Sequence, residues 1–367
     1  MGTRDVIFRE PTTLQSRVAA TDSLRFCDEF CRESSTSKYI LGRNIYAESV
    51  ARQLTVHGFI DDFTNDAAYL GRPILKLGDV PKNALVLNAS GGRPLTARHR
   101  LDLVGLRNLD YFAFYKLSGL PLLPMRFNEG FEEEFLANRD QYTWVHERLH
   151  DQVSKSSLEK LVNFRLDYDI THLDGFTQRE DIQYFEDFLR LRADGETFID
   201  IGAYDGFTSI EFMKRCPQFN AIHLYEPDPR NYQICVSAMQ GLANVDCHPY
   251  GLSHSKATLK FDMQGSSSRI SDSGPVTIEV DRLDDVLVDA PTFIKMDIEG
   301  GETSAIEGAR RIIGTHHPRL AVSVYHAPGD FWRIPRQVLS IRDDYDLYMR
   351  HYTECIYESV MFFVPRT

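Results

Sequence analysis

Apolar residues along the chain fall into short runs separated by joints rich in Gly, Asp and Pro, the texture of strands and helices in alternation. Lys38 to Gly42 (KYILG) predicts a strand, Ile45 to Leu54 a helix, Val56 to Ile60 a second strand and Asn83 to Asn88 a third, which together imply a small parallel α/β sheet. Residues 1–36 lack a sustained period and close on the polar run RESSTS, so they are expected to form a short helical arm and linker. Between Phe127 and Arg192 the pattern turns helical, with Leu149, Val153, Leu158, Leu161 and Val162 at helical spacings. Near its end Tyr184, Phe185 and Phe188 give an apolar face. From Thr197 the alternation resumes, with strands expected near 197–201, 221–225, 245–248, 292–296, 319–325, 346–350 and 358–363. A polar insertion, Gly265 to Gly274, separates the extended segments Ala257–Met263 and Val276–Val280 as a hairpin excursion would. The expected organisation is an arm (1–36), a smaller Rossmann-like α/β domain (37–125), a helical connector (126–192) and a seven-stranded α/β domain (193–367).

Composition agrees with two folds in tandem: 367 residues, 43% hydrophobic and 26% charged, describe a globular chain with mass for two cores. With 41 Lys+Arg against 53 Asp+Glu the net charge is -12, which repels phosphate backbones, and the longest basic cluster, Arg93 to Arg100, is interrupted by four uncharged residues. Nucleic acid is therefore not an expected partner, whereas a small-molecule or glycan acceptor and a homo-oligomer remain open. The cysteines lack paired spacing and read as reduced thiols, and neither a secretory leader nor a membrane-spanning run is found, so the expected compartment is the cytoplasm.

In the first sheet, Gly42 before a helix offers a helix N-terminus to an anion, and Asp61-Asp62 stand where a dinucleotide's ribose would be held. The glycine pattern GxGxxG is absent, however.

The sharper chemistry lies in the second half. In Phe198–Ser209 (FIDIGAYDGFTS) an apolar strand runs to Asp200, turns through Gly202 and Gly206 and enters a helix. Such a turn lets a ligand lie against backbone N–H groups at the C-terminal edge of a parallel sheet. Asp200 suits a cationic amine and Asp205 suits polar ligand groups, so the loop favours a zwitterion over a pyrophosphate, and S-adenosylmethionine (SAM) fits that chemistry. The next strand ends in Glu226-Pro227-Asp228, which puts a carboxylate where ribose hydroxyls can be accepted; Asp228 is placed as a helix N-cap. Thr292 to Gly308 (TFIKMDIEGGETSAIEG) then delivers Asp297 and Glu299 to the same edge, to position a hydroxyl, take its proton or bind a divalent cation, with Glu302 favouring a helix N-terminus. His326 and His351 end later strands. His326, oriented by Asp297, is the preferred base, His351 the second candidate, and Arg350 is available to hold an acceptor.

The runs FIDIGAYDG, LYEPDP, FIKMDIEGGETSAIEGA, PRLAVSVYH and YMRHYT, in that order, resemble the FkbM family of SAM-dependent methyltransferases over Asp181 to Pro365. The first motif is generic to class I methyltransferases; KMDIEGGE followed by SVYH and RHYT is specific to FkbM-like proteins. The resemblance implies a class I (Rossmann-like) seven-stranded fold and methyl transfer to a hydroxyl of a sugar, glycan or polyketide-type natural product. It implies that Asp200, Gly202, Ala203, Tyr204, Asp205 and Gly206, with Ser209, surround the methionine part of SAM, that Glu226 takes the ribose, and that Tyr250, Gly251 and Leu252 approach the adenine. Asp297, Glu299, His326 and His351 match positions facing the acceptor, Asp297 also facing SAM. Residues 38–120 resemble, more loosely, Rossmann-like domains found beside sugar-modifying enzymes, through GFIDD and GRPIL. Two other readings stay open: a metal-assisted O-methyltransferase using Asp297 and Glu299 around Mg²⁺, and a non-catalytic SAM-fold protein that binds a glycan or partner.

Overall fold

The computed structural model describes residue 8 and residues 18–262, 269–270 and 276–366. Part of the expected arm over residues 1–36 and most of the insertion Gly265–Gly274 therefore lie outside the described residues; within the arm a helix spans Val18–Cys31. The chain divides into two compact units: residues 1–136, 156–178 and 352–357 form one, and residues 137–155, 179–351 and 358–367 the other.

The first unit is built on strands β1 (Lys38–Leu41), β2 (Gly58–Ile60), β3 (Ala68–Tyr69), β4 (Arg72–Leu75), β5 (Leu85–Asn88) and β6 (Arg107–Asp110). Their order is β3-β4-β2-β1-β5-β6, parallel except for the β3–β4 hairpin. β2 and β5 are buried at every position, which is why their sequences read as unbroken apolar runs. β3, β4 and β6 were not expected from the pattern: β3 has two residues, β4 carries Pro73, and β6 reads RNLD.

The nucleotide features of this unit are already satisfied internally. Asn44 caps the helix Ile45–Gln53 by accepting from Tyr46 N and Ala47 N, both at 3.0 Å, where an anion would sit. Asp61 pairs with Arg43 Nε at 2.7 Å, and Asp62 accepts from Leu77 N at 2.8 Å and pairs with Arg100. These groups fix loops.

Residues 126–192 form no third body. Two helices, Phe131–Arg148 and Gln152–Asp167, occupy the stretch, and the units divide between them. The first division falls beside Asn138, whose φ of -128° and ψ of 22° interrupt the helical path.

The second unit holds β7 (Thr197–Ile201), β8 (Ala221–Tyr225), β9 (Val245–His248), β10 (Gly251–Leu252), β11 (Ala257–Asp262), β12 (Arg269–Ile270), β13 (Val276–Asp281), β14 (Phe293–Met296), β15 (Arg319–Ser323), β16 (Tyr345–His351) and β17 (Ser359–Pro365). A seven-stranded sheet runs β16-β17-β15-β14-β7-β8-β9, and a four-stranded sheet runs β10-β13-β11-β12. The seven strands expected after Thr197 are the members of the larger sheet. β17 runs antiparallel to β15 and β16, whereas β15, β14, β7, β8 and β9 are mutually parallel. The start of β17 consequently reaches the same edge as the ends of β7, β8, β14 and β15. Among the described residues, no helix is long and apolar enough to cross a membrane.

Replacing Asn44 with Ala should cost about 1 kcal/mol, the usual loss of a side-chain cap. Denaturant unfolding followed by fluorescence would check it, and an unchanged midpoint would show that the cap is energetically idle.

Candidate active site

At the end of β7 the chain turns sharply before the helix Phe207–Arg215. Gly202 has φ +78°, and a β-carbon there would lie 2.0 Å from the carbonyl oxygen of Asp297, so no larger residue fits without parting β7 from β14. The turn's N–H groups are spent on the neighbouring strand: Gly202 N and Ala203 N donate to Tyr225 O at 3.0 and 3.2 Å, and Tyr204 N to Glu226 Oε2 at 2.8 Å. The expectation that these groups cradle a ligand is thus corrected; the turn presents its Cα and side-chain surfaces instead.

Beneath it lies Lys295, on β14 and 3% exposed. Its Nζ donates to Gly202 O at 2.6 Å and lies 3.2 Å from Asp200 Oδ1. Burial works against its charge, but Asp200 and Asp297 hold its pKa above the ordinary value. Asp200, fully buried, also accepts from Ser209 Oγ at 2.8 Å. Asp200 and Ser209 therefore brace the turn from below and do not reach a ligand amine. Gly206, in the left-handed region at φ +81°, packs toward Met239. Asp205 accepts from Phe207 N at 2.9 Å, which braces the turn just ahead of the helix, while it also lines the cavity.

That cavity, about 340 Å³, opens along the C-terminal edge of the larger sheet. One end is walled by Gly251, Leu252, Ile278 and Val280, an apolar surface suited to a planar base. Tyr250 does not line it; its ring packs edge-on against Tyr225, 5.6 Å between centroids. Next comes Glu226, 6% exposed, which accepts from Tyr204 N and from Asp228 N, both at 2.8 Å. Burial pushes Glu226 up to about 7 against these two bonds, which favour its charged form. Asp228 is the helix N-cap, accepting from Arg230 N at 2.8 Å.

Beyond Gly202 the edge becomes acidic. Asp297 Oδ2 accepts from Tyr184 OH at 2.6 Å, and Oδ1 lies 3.5 Å from His326 Nε2. Glu299, at φ 56°, brings Oε2 to 3.9 Å from the same nitrogen. Glu302, 1% exposed, accepts from Ile298 N at 2.9 Å and Gly300 N at 3.1 Å, and its Oε1 lies 2.9 Å from His326 Nδ1. Glu302 thus ties down the loop as well as sitting at a helix start.

His326 is corrected as the expected base. Burial disfavours its charge, but Glu302, Asp297 and Glu299 outweigh this and raise its pKa to about 10. At neutral pH the ring is an imidazolium with no lone pair for a proton, and it does not line the cavity. Its charge in turn helps Lys295 hold Asp297 below the usual carboxylate range despite burial. His351 is also outside the cavity, with Nδ1 2.8 Å from Ser359 Oγ across the β16–β17 pair. Arg350 grips Asp151 at 2.7 and 3.2 Å and donates to Ser154 Oγ at 2.8 Å, which removes it from any acceptor.

Asp297, Glu302 and His326 bring potential metal-ligand atoms within 4.8 Å of one another. Their bonding fits an imidazolium among carboxylates better than a divalent cation, because Glu302 is committed to two backbone amides and to His326 Nδ1.

Residues not singled out as ligating complete the wall. Gln183, Tyr184, Tyr325 and Glu358 all face the cavity. Gln183 Nε2 donates to Tyr184 OH at 2.8 Å and to Glu358 Oε2 at 2.6 Å, and Tyr325 OH donates to Glu358 Oε1 at 3.1 Å. Of the apolar face at 184–188, Tyr184 and Phe185 line the cavity, whereas Phe188 stacks on Tyr348 at 4.2 Å.

Because His326 is raised from 6.5 to about 10, its stabilising contribution is complete below pH 6.5 and is lost as pH climbs through 10. His326→Gln should destabilise by about 3 kcal/mol at pH 6, with the gap from wild type closing toward pH 10. Unfolding titrations across that range would check this; a gap independent of pH would show a neutral ring.

Residues 200–357 match the family model described as the methyltransferase FkbM domain. Among solved structures, a methyltransferase FkbM from Methylobacillus flagellatus KT is 23% identical, with 96% of this chain and 100% of that one covered at a TM-score of 0.72. An rRNA methylase from Streptococcus thermophilus is 12% identical over 49% of this chain and 92% of its own, TM-score 0.34. Aeropyrum pernix fibrillarin, solved with natively bound S-adenosyl-L-methionine, is 12% identical over 47% and 69%, TM-score 0.31. No curated protein matches the chain. Residues 200–357, which carry most of the larger sheet and much of the cavity lining, thus match a methyltransferase FkbM domain.

Proposed function

We propose that the chain is a SAM-dependent O-methyltransferase acting on a hydroxyl of a sugar, glycan or polyketide-type natural product. The observation that carries this reading is the order of chemistry along the cavity, from the four-stranded sheet across the edge of the larger one. An apolar wall stands at β10 and β13, then Glu226 at β8, the Gly202 turn at β7, Asp297 at β14, and Tyr325 and Glu358 at β15 and β17. A nucleoside fits the first part, with base on Leu252, Ile278 and Val280 and ribose hydroxyls on Glu226. The aminoacyl part fits across the turn, which leaves the Asp297 end for the acceptor.

When bound, SAM supplies an activated methyl group. The protein's contribution is alignment, exclusion of water and a destination for the hydroxyl proton. Among the described residues, carboxylates outnumber cations in the cavity lining, where Lys295 is the one lysine or arginine and is turned to Asp200 and Gly202 O. That balance suits a cationic sulfonium and disfavours an anionic acceptor.

Calorimetry should detect binding of SAM and of its demethylated product, and Glu226→Gln should weaken it about 10- to 100-fold through loss of charged hydrogen bonds. Extracts incubated with methyl-labelled SAM should yield a labelled acceptor, with the label retained after exhaustive EDTA treatment. Binding without transfer would favour the non-catalytic reading, and EDTA-sensitive transfer the metal-assisted one.

A further inference from the structure

With His326 protonated, the acceptor's proton needs another destination. The cavity end beside β14, β15 and β17 carries the carboxylates of Asp297, Glu299 and Glu358. The first two face the imidazolium of His326 at 3.5 and 3.9 Å, and Asp297 also accepts from Tyr184. Asp297 is a poor proton acceptor because His326 and Lys295 stabilise it as an anion despite its burial.

Glu358 differs. Its two oxygens accept from neutral donors, the Gln183 amide at 2.6 Å and the Tyr325 phenol at 3.1 Å. Among the described residues no cation lies within ion-pair distance of it. Its backbone is held at φ 64°, a left-handed conformation sparsely used by residues with side chains and often found where a side chain must be aimed. Each carboxylate oxygen retains capacity for a further bond toward the cavity.

We propose, resting on the O-methyltransferase reading, that Glu358 is the general base of the transfer, with Gln183 and Tyr325 as positioning residues that fix its carboxylate. As the acceptor oxygen bonds to the methyl carbon, the carbon–sulfur bond breaks and its electron pair stays on sulfur. The hydroxyl proton passes to a Glu358 oxygen, and Glu358 returns it to solvent after product leaves.

The surroundings support the role. Asp297 faces Glu358 with like charge, His326 contributes an opposing positive charge, and Tyr184 and Tyr325 remain neutral phenols because burial and nearby carboxylates raise them well above their ordinary values. Burial, aided by Asp297, sets Glu358 at about 7, the range in which a carboxylate is most effective as a base near neutral pH.

Three measurements on the full chain test this, using Glu358→Gln and Glu358→Asp. In the ligand-free protein, carbon-13 NMR of labelled glutamate should show a carboxyl titrating near pH 7 that vanishes in Glu358→Gln. Calorimetry should give SAM affinities within about threefold of wild type for both variants. Transfer of labelled methyl should fall about 100-fold or more in Glu358→Gln and recover partly in Glu358→Asp, with the wild-type rate rising through about pH 7.

Near-wild-type transfer by Glu358→Gln, or a spectrum in which it removes no near-neutral carboxyl, overturns the proposal. Loss of SAM affinity in both variants overturns it in favour of a binding role. If Glu358→Gln fails to fold, Glu358→Asp decides through its rate and the position of its pH profile: an unshifted profile overturns the assignment. A wild-type chain that does not bind SAM refutes the underlying reading instead, which calorimetry alone reveals.

Discussion

The pairing of Lys295 with Asp200 and with the carbonyl of Gly202 holds the site together. A lysine with 3% exposure is tolerable only if its charge and its donors are met, and here one carboxylate and the turn's own backbone meet them. This pair joins β14 to β7 beneath the point where Gly202 leaves no room for a side chain. Removing either partner would leave an uncompensated charge under the loop. The surface offered to a ligand is thus set by a layer that no ligand touches.

From that layer outward, the sheet order distributes chemistry. Parallel β8, β7, β14 and β15 all end at one edge, and antiparallel β17 begins there, so five loops present their first or last residues in a row. The hydrogen-bonding of the row changes along its length. Glu226 answers to backbone amides, Asp297 to a phenol and an imidazolium, Glu358 to an amide side chain and a second phenol. Asp297 is held below the usual carboxylate range while Glu226 and Glu358 are raised, so carboxyl groups of one cavity differ in proton affinity because of their neighbours rather than their type.

Much of this was legible in the residues. The seven strands of the larger sheet could be placed because most carry a readable apolar pattern: β7 and β14 are buried at every position, β8 at all but its first, and β16 alternates along its length. The strands β3, β4 and β6 were not, because short or edge strands such as Arg107–Asp110 carry little apolar signal. Within the site, Gly202, Glu226 and Asp297 were recognisable from position. What position could not show was which polar groups consume one another. Asp200 and Arg350 sit at strand ends that suggest ligand contact, yet each is engaged by a partner remote in sequence, Lys295 and Asp151. His326 looked like a base because its three carboxylate neighbours are brought together only by the loop at 297–302. Neither Tyr184, legible only as part of an apolar face, nor Glu358 carries a local motif for ligand contact; both sit on left-handed backbone, at φ 71° and 64°, which is invisible before folding.

The wall supplied by Gln183 and Tyr184 comes from a segment upstream of the matched span 200–357, and Glu358 follows its last residue by one. A boundary drawn by family likeness and one drawn by the cavity therefore disagree at both ends. A fragment trimmed to the former would cut through β7, lose β17 and strip the far side of the cleft, and it would be a misleading stand-in for the whole when ligands are screened. The working unit of this protein is set by what encloses its cleft, and its limits are tertiary.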